Sequence, residues 1–100
     1  MNTSDPLATA ISGLHANAAW FRVAAFNVVN ANTDGFKAHV ATNESRSPSG
    51  VRVDVSVSDA PVDLAREWVS MTAARVGYDA NAEVIAAVDR MTGALIDIVA

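Results

Sequence analysis

The stretch Asn30-Ala31-Asn32-Thr33-Asp34-Gly35 decides how this chain folds. Asparagine, aspartate and glycine tolerate turn and left-handed backbone conformations, so the run stops whatever helix precedes it and turns the chain tightly. What precedes it is a heptad stripe, in which Leu7, Ile11, Leu14, Ala18, Phe21, Ala25 and Val28 recur at alternating spacings of four and three. Ser4 is placed to cap that helix, Asp5 to complement its dipole, and Pro6 is tolerated in a first turn. The spacing predicts a helix from about Ser4 to Asn30, about 39 Å long.

Downstream of the turn the period changes. Val51, Val53, Val55 and Val57 alternate with Arg52, Asp54, Ser56 and Ser58, which is a strand with one apolar face. Phe36, Ala38 and Val40 alternate more weakly with Lys37 and His39, and the polar segment from Asn43 to Gly50 lies between the two runs. A two-stranded hairpin over 36–58 follows. A hairpin alone is marginal in water, so its valine face must cover something.

Ser58-Asp59-Ala60-Pro61 reads as a second helix start, with Asp63 and Glu67 suited to its first turns. Leu64, Trp68, Met71, Tyr78, Ile85, Val88, Leu95 and Val99 follow at helical spacing. This helix is expected to reach Val99, roughly 55 Å in all. Its interior Gly77 costs up to about 1 kcal/mol of helix propensity relative to alanine, and close approach of a neighbouring backbone would offset that. The fold expected is mainly α: two long antiparallel terminal helices, coiled-coil-like, joined by a short β-hairpin. The single domain spans 1–100, with the first helix and turn in 1–35, the hairpin in 36–58 and the second helix in 59–100.

Composition narrows the function. At 100 residues the chain is long enough for one small domain. Apolar residues make up 51% but aromatics only 6%, and alanine and valine dominate, so the core must be built from small side chains. Such side chains bury little area each, at roughly 25 cal/mol per Å², and the expectation is a marginal monomer that needs partners. Its helix content should rise with concentration. The net charge of −4 disfavours nucleic-acid binding. The absence of cysteine excludes disulfides and thiolate metal sites. No apolar run reaches the roughly 18 residues of a membrane span. The first basic residue is Arg22, so no cleaved secretory signal and no cationic membrane-surface helix is expected.

Nothing here asks for catalysis. His15 and His39 sit on different elements without carboxylates at ligand spacing, and the series Asp59, Asp63 and Glu67 is explained by the helix dipole. We expect no enzyme activity, no cofactor, no metal and no small-molecule substrate. Trp68 and Tyr78 lie in the apolar stripe, where aromatics are usually core. Asn27 and Asn30, one helical turn apart, have two readings. They mark fraying towards the turn, or they bond across a helix interface and fix its register.

The residues also resemble a known family. Ile11-Ser12-Gly13-Leu14-His15-Ala16, followed after a helical spacer by Ala25-Phe26-Asn27-Val28-Val29-Asn30-Ala31-Asn32-Thr33-Asp34-Gly35-Phe36-Lys37, is similar to the N-terminal signature of bacterial flagellar rod and hook proteins. Val62-Asp63-Leu64-Ala65-Arg66-Glu67-Trp68-Val69-Ser70-Met71, then Tyr78 to Ile85, Asp89-Arg90-Met91 and Leu95-Ile96-Asp97, resembles the C-terminal segment of the same family. The chain departs from the pattern at Phe26, Val29, Asp34, Trp68 and Gly77, and its middle is shorter than in rod and hook relatives.

The resemblance implies a structural axial subunit of the flagellar basal body. Such a subunit self-assembles through its terminal helices, is exported by the flagellar type III apparatus, and has other rod or hook subunits and its own copies as partners. The alternative is a non-polymerising adaptor, or divergent paralogue, that binds rod subunits. The residues expected to form the helix interface are Leu7, Ile11, Leu14, Phe21, Val28, Leu64, Trp68, Met71, Tyr78, Ile85, Val88 and Leu95. Asn27, Asn30, Asn32, Thr33, Gly35 and Phe36 form the turn motif that orients the hairpin.

Overall fold

The computed structural model describes residues 6–47 and 50–99. The proposed caps Ser4 and Asp5 lie outside these residues. Four elements follow one another: α1 over Pro6–Val29, β1 over His39–Ser45, β2 over Val51–Val57 and α2 over Leu64–Val99. The two strands pair antiparallel, with His39 opposite Val57 and Ser45 opposite Val51. This is the mainly helical, hairpin-joined fold that the heptad stripe and the valine alternation predict.

The molecule is long and flat, measuring 63 × 24 × 14 Å. Its radius of gyration is 17.4 Å, against about 13 Å for a compact chain of this length. α1 lies in the middle. It packs against α2 on one side and against both strands on the other, while the hairpin and α2 do not meet. Every buried apolar residue described is an alanine: Ala10, Ala16, Ala24, Ala38, Ala41 and Ala74. Alanine lets backbones approach closely, and each methyl removes little apolar area from water.

α1 ends where the sequence says it should. Asn30 N–H bonds back to the Phe26 and Asn27 carbonyls, Thr33 N–H to Asn30 O at 3.0 Å, and Phe36 N–H to Thr33 O at 3.1 Å. Gly35 takes a left-handed φ of 74° in that turn.

The start of α2 differs from expectation. Ser58 does not cap it, because the backbone there still belongs to the sheet. Ser58 N–H donates to Ala38 O, and Ala38 N–H donates to Ala60 O, each at 2.9 Å. The Ser58 hydroxyl instead accepts from Ala60 N–H at 3.2 Å and closes a local turn. The cap is Asp63, whose Oδ1 accepts from Ala65 N–H at 3.1 Å and from Arg66 N–H at 3.2 Å.

Candidate functional site

The surface on which an assembly role depends is the helix pair together with the turn that sets the hairpin. Its inner seam is narrow and unusually polar. A methyl group added at Gly13 would lie 2.9 Å from the Asn81 amide, and one added at Gly77 would lie 2.6 Å from the Asn17 amide. Each asparagine in turn donates from Nδ2 to the glycine carbonyl four residues earlier on its own helix. Asn17 reaches Gly13 O and Asn81 reaches Gly77 O, both at 2.9 Å. The two Gly-x-x-x-Asn units thus face each other head to tail, each amide seated on the other helix's glycine. The close approach expected at Gly77 is real, but the neighbour is a side chain and not a backbone. Ala74 completes the seam.

Extending that register puts Pro6 level with Val88, so α2 continues from Asp89 to Val99 past the described start of α1.

The apolar stripe lies one residue round from this seam. In α1 the seam runs through Ala10, Gly13, Asn17 and Ala24, and the stripe through Ile11, Leu14, Ala18 and Ala25. A one-residue offset is a rotation of about 100°. The predicted interface residues therefore flank the contact between the helices. Leu7 meets Ile85 and Val88 around one hollow, and Phe21 meets Tyr78 around another. Ile11 borders a hollow under the hairpin with Val51 and Val53 instead. Leu14 and Met71 are half-buried, and Val28 is exposed. Leu64, Trp68 and Leu95 point outward, with Trp68 71% and Leu95 62% exposed. Trp68 is thus no core residue of the isolated chain. Val69, Met91, Ile96 and Ile98 are exposed as well.

The hairpin is held to α1 by polar side chains. Asn27 is wholly buried. Its Nδ2 donates to His39 O and its Oδ1 accepts from His39 N–H, both at 2.8 Å. One amide thereby does what a neighbouring strand would do for that residue. Ser12 does the same at the other end: its hydroxyl accepts from Val51 N–H at 2.7 Å and donates to Val51 O at 2.9 Å. Trp20 Nε1 donates to Asn43 Oδ1 at 2.7 Å between them. Asn27 therefore neither frays nor reaches α2; it fixes the hairpin. Asn30 turns back on its own helix, donating to Phe26 O at 3.0 Å and accepting from the Thr33 hydroxyl at 3.2 Å. Asn32, Thr33 and Gly35 are exposed.

Phe36 stacks on His39 with ring centroids 5.4 Å apart, and both rings meet Phe26 at 5.6 and 5.0 Å. The valine face covers α1 only in part. Val51 and Val53 are half-buried, whereas Val55 and Val57 are exposed. Among the described residues, no helix is long and apolar enough to cross a membrane. No known protein family matches this chain, and no curated protein matches it in sequence.

Sequence reasoning missed Gly13, Asn17, Ala74 and Asn81 as seam residues, and Ser12 and Trp20 as hairpin anchors. The repeated Gly-x-x-x-Asn spacing at 13–17 and 77–81 was the available signal.

Proposed function

We propose that this chain is a structural axial subunit of the flagellar rod type, which assembles with copies of itself and related subunits through its two terminal helices. The observation that carries the reading is the placement of the large apolar side chains. The intrachain seam is made by alanine, glycine and asparagine, so the fold of one chain does not consume Leu64, Trp68, Leu95, Ile96 or Ile98. Exposed apolar surface beyond a few hundred Å² marks an interaction site. The chain exposes 7022 Å², against about 5400 Å² for a compact monomer of its mass. These side chains lie near both ends of a long, flat particle, Leu64 and Trp68 on the first turns of α2 and Leu95 to Ile98 on its last. Contacts made head to tail between ends build a helical filament where the rotation between copies does not close into a ring. The resemblance at Ile11–Ala16, Ala25–Lys37 and Val62–Met71 supplies the identity of that filament.

The test is electron microscopy of purified basal bodies with this chain labelled, paired with deletion of its gene. Label in the rod and loss of assembled filaments are expected. Intact filaments and normal swimming after deletion would favour the adaptor reading and overturn this one.

A further inference from the structure

The hairpin leaves backbone groups unpaired along its outer edges, and its register shows which ones. Ser58 N–H donates to Ala38 O, and Arg46 N–H donates to Gly50 O. Both pairs continue the ladder in which His39 faces Val57 and Ser45 faces Val51. The even-numbered residues therefore turn their N–H and C=O groups to the other strand, and the odd-numbered residues turn theirs outward. The two anchors on α1 obey this parity. Asn27 bonds both groups of His39, and Ser12 bonds both groups of Val51.

Past the Ser12 anchor, the outward N–H and C=O groups of Val53, Val55 and Val57 have no partner among the described residues. Val55 and Val57 are also exposed. Such an edge is a template for another strand, and folded proteins blunt it with charges, proline or a bulge. Here the outward groups all belong to valine, a residue that favours strands. The nearby charges are already neutralised, since Arg52 pairs with Glu44 and Asp54. The outer edge of β1 is a poorer template: Ala41 is buried, and the Asn43 side chain is tied to Trp20 Nε1.

We infer that β2 pairs antiparallel with β2 of a second copy, about a twofold axis at Val55. Val55 then faces its own counterpart and Val53 faces Val57, so each outward N–H from 53 to 57 meets a carbonyl of the other strand. The twofold keeps both valine faces on one side of the joined sheet, where they pack across the strands. Asp54 stands opposite Ser56 and Arg52 opposite Ser58, so no like charges face each other. The occupant is a second copy because this edge complements itself in hydrogen bonds, side-chain face and charge. Pairing also turns a two-stranded ribbon, marginal by itself, into a four-stranded sheet. The contact uses the hairpin and not the terminal helices, so it goes beyond the assembly reading and does not rest on it.

The test uses the full chain carrying Leu95→Ser and Ile98→Ser, which weakens contacts between helix ends and so separates this inference from the assembly reading. The chain has no cysteine, so one introduced thiol reports one contact. Across a hydrogen-bonded pair the Cα atoms lie about 5.5 Å apart, within reach of a disulfide. Val55→Cys should therefore give a cross-linked dimer on oxidation with diamide. Val53→Cys alone should not, because its two copies lie about 13 Å apart along the strands. Mixing Val53→Cys and Val57→Cys chains should restore the cross-link. Val55→Pro removes no bond within the hairpin, since that N–H points outward. It should leave the circular dichroism spectrum unchanged and raise the dimer dissociation constant at least about tenfold in sedimentation equilibrium. If it disturbs the helices, the cross-linking pattern decides alone. A monomer at every concentration reached, or a Val53→Cys chain that cross-links as readily as the Val55→Cys chain, overturns the inference and leaves the assembly reading standing. A dimer that is folded and indifferent to Val55→Pro overturns it as well.

Discussion

The inside and the outside of this helix pair invert the usual allocation of side chains. The tightest contacts of the seam between α1 and α2 are made by glycine, alanine and asparagine, while Leu64, Trp68, Leu95, Ile96 and Ile98 look outward. The two surfaces also differ in kind. The seam is directional: each asparagine amide is tied to a carbonyl and fits over one glycine, so sliding one helix by a turn would set an amide against a side chain. The outer surface carries large exposed apolar side chains at both ends of α2. The seam and the polar anchors of the hairpin specify how one chain folds. The outer residues are left to whatever the chain assembles with.

The largest effect that can break this contrast sits at the hairpin anchor. Asn27→Ala would remove the partner of both the N–H and the C=O of half-buried His39 and leave a hole where a wholly buried side chain sat, and should cost about 3 kcal/mol of stability by chemical denaturation at fixed protein concentration. A loss below about 1 kcal/mol would mean that the amide pair is not what holds β1 to α1. The next effect sharpens the account of the seam. Gly77→Ala should destabilise by about 1 kcal/mol, since crowding the Asn17 amide outweighs the helix propensity gained. Combined with Asn17→Ala, the same substitution should become stabilising, because the obstacle is gone. A double-mutant cycle showing no coupling would contradict the reciprocal fit.

How much of this was legible beforehand follows from what each residue does. The heptad stripe and the Asn30–Gly35 stop gave α1 and its C-terminal end, because periodicity and turn chemistry are local. Valine alternation gave β2 for the same reason. The start of α2 was misplaced since Ser58 and Pro61 form a plausible cap, and only the sheet, a non-local partner, keeps them from acting as one. The Gly13, Asn17, Gly77 and Asn81 part of the seam was not legible because apolar patterning looks for large side chains, and there the contact face is small and polar. Asn27 showed its cost in the sequence but not its partner, which is twelve residues away on another element.

Smaller effects belong to the outside. Leu95→Ser and Ile98→Ser should change the stability of the isolated chain by no more than about 0.5 kcal/mol, yet reduce its association in sedimentation experiments. A large loss of monomer stability would place these side chains in an intrachain core. The exposed pairs that Arg52 makes with Glu44 and Asp54, at 3.1 and 3.4 Å, should be worth least. Arg52→Ala is expected to lower stability in chemical denaturation by less than about 0.5 kcal/mol, and by less still at high salt.

The central claim is that the outward apolar residues are satisfied only between chains. Helix content by circular dichroism over a concentration series tests it most directly. The account predicts a helical signal that is incomplete in dilute solution and grows as copies meet, with the growth lost in the Leu95→Ser, Ile98→Ser chain. A fully helical monomer that melts sharply at low micromolar concentration, indifferent to dilution, would contradict it.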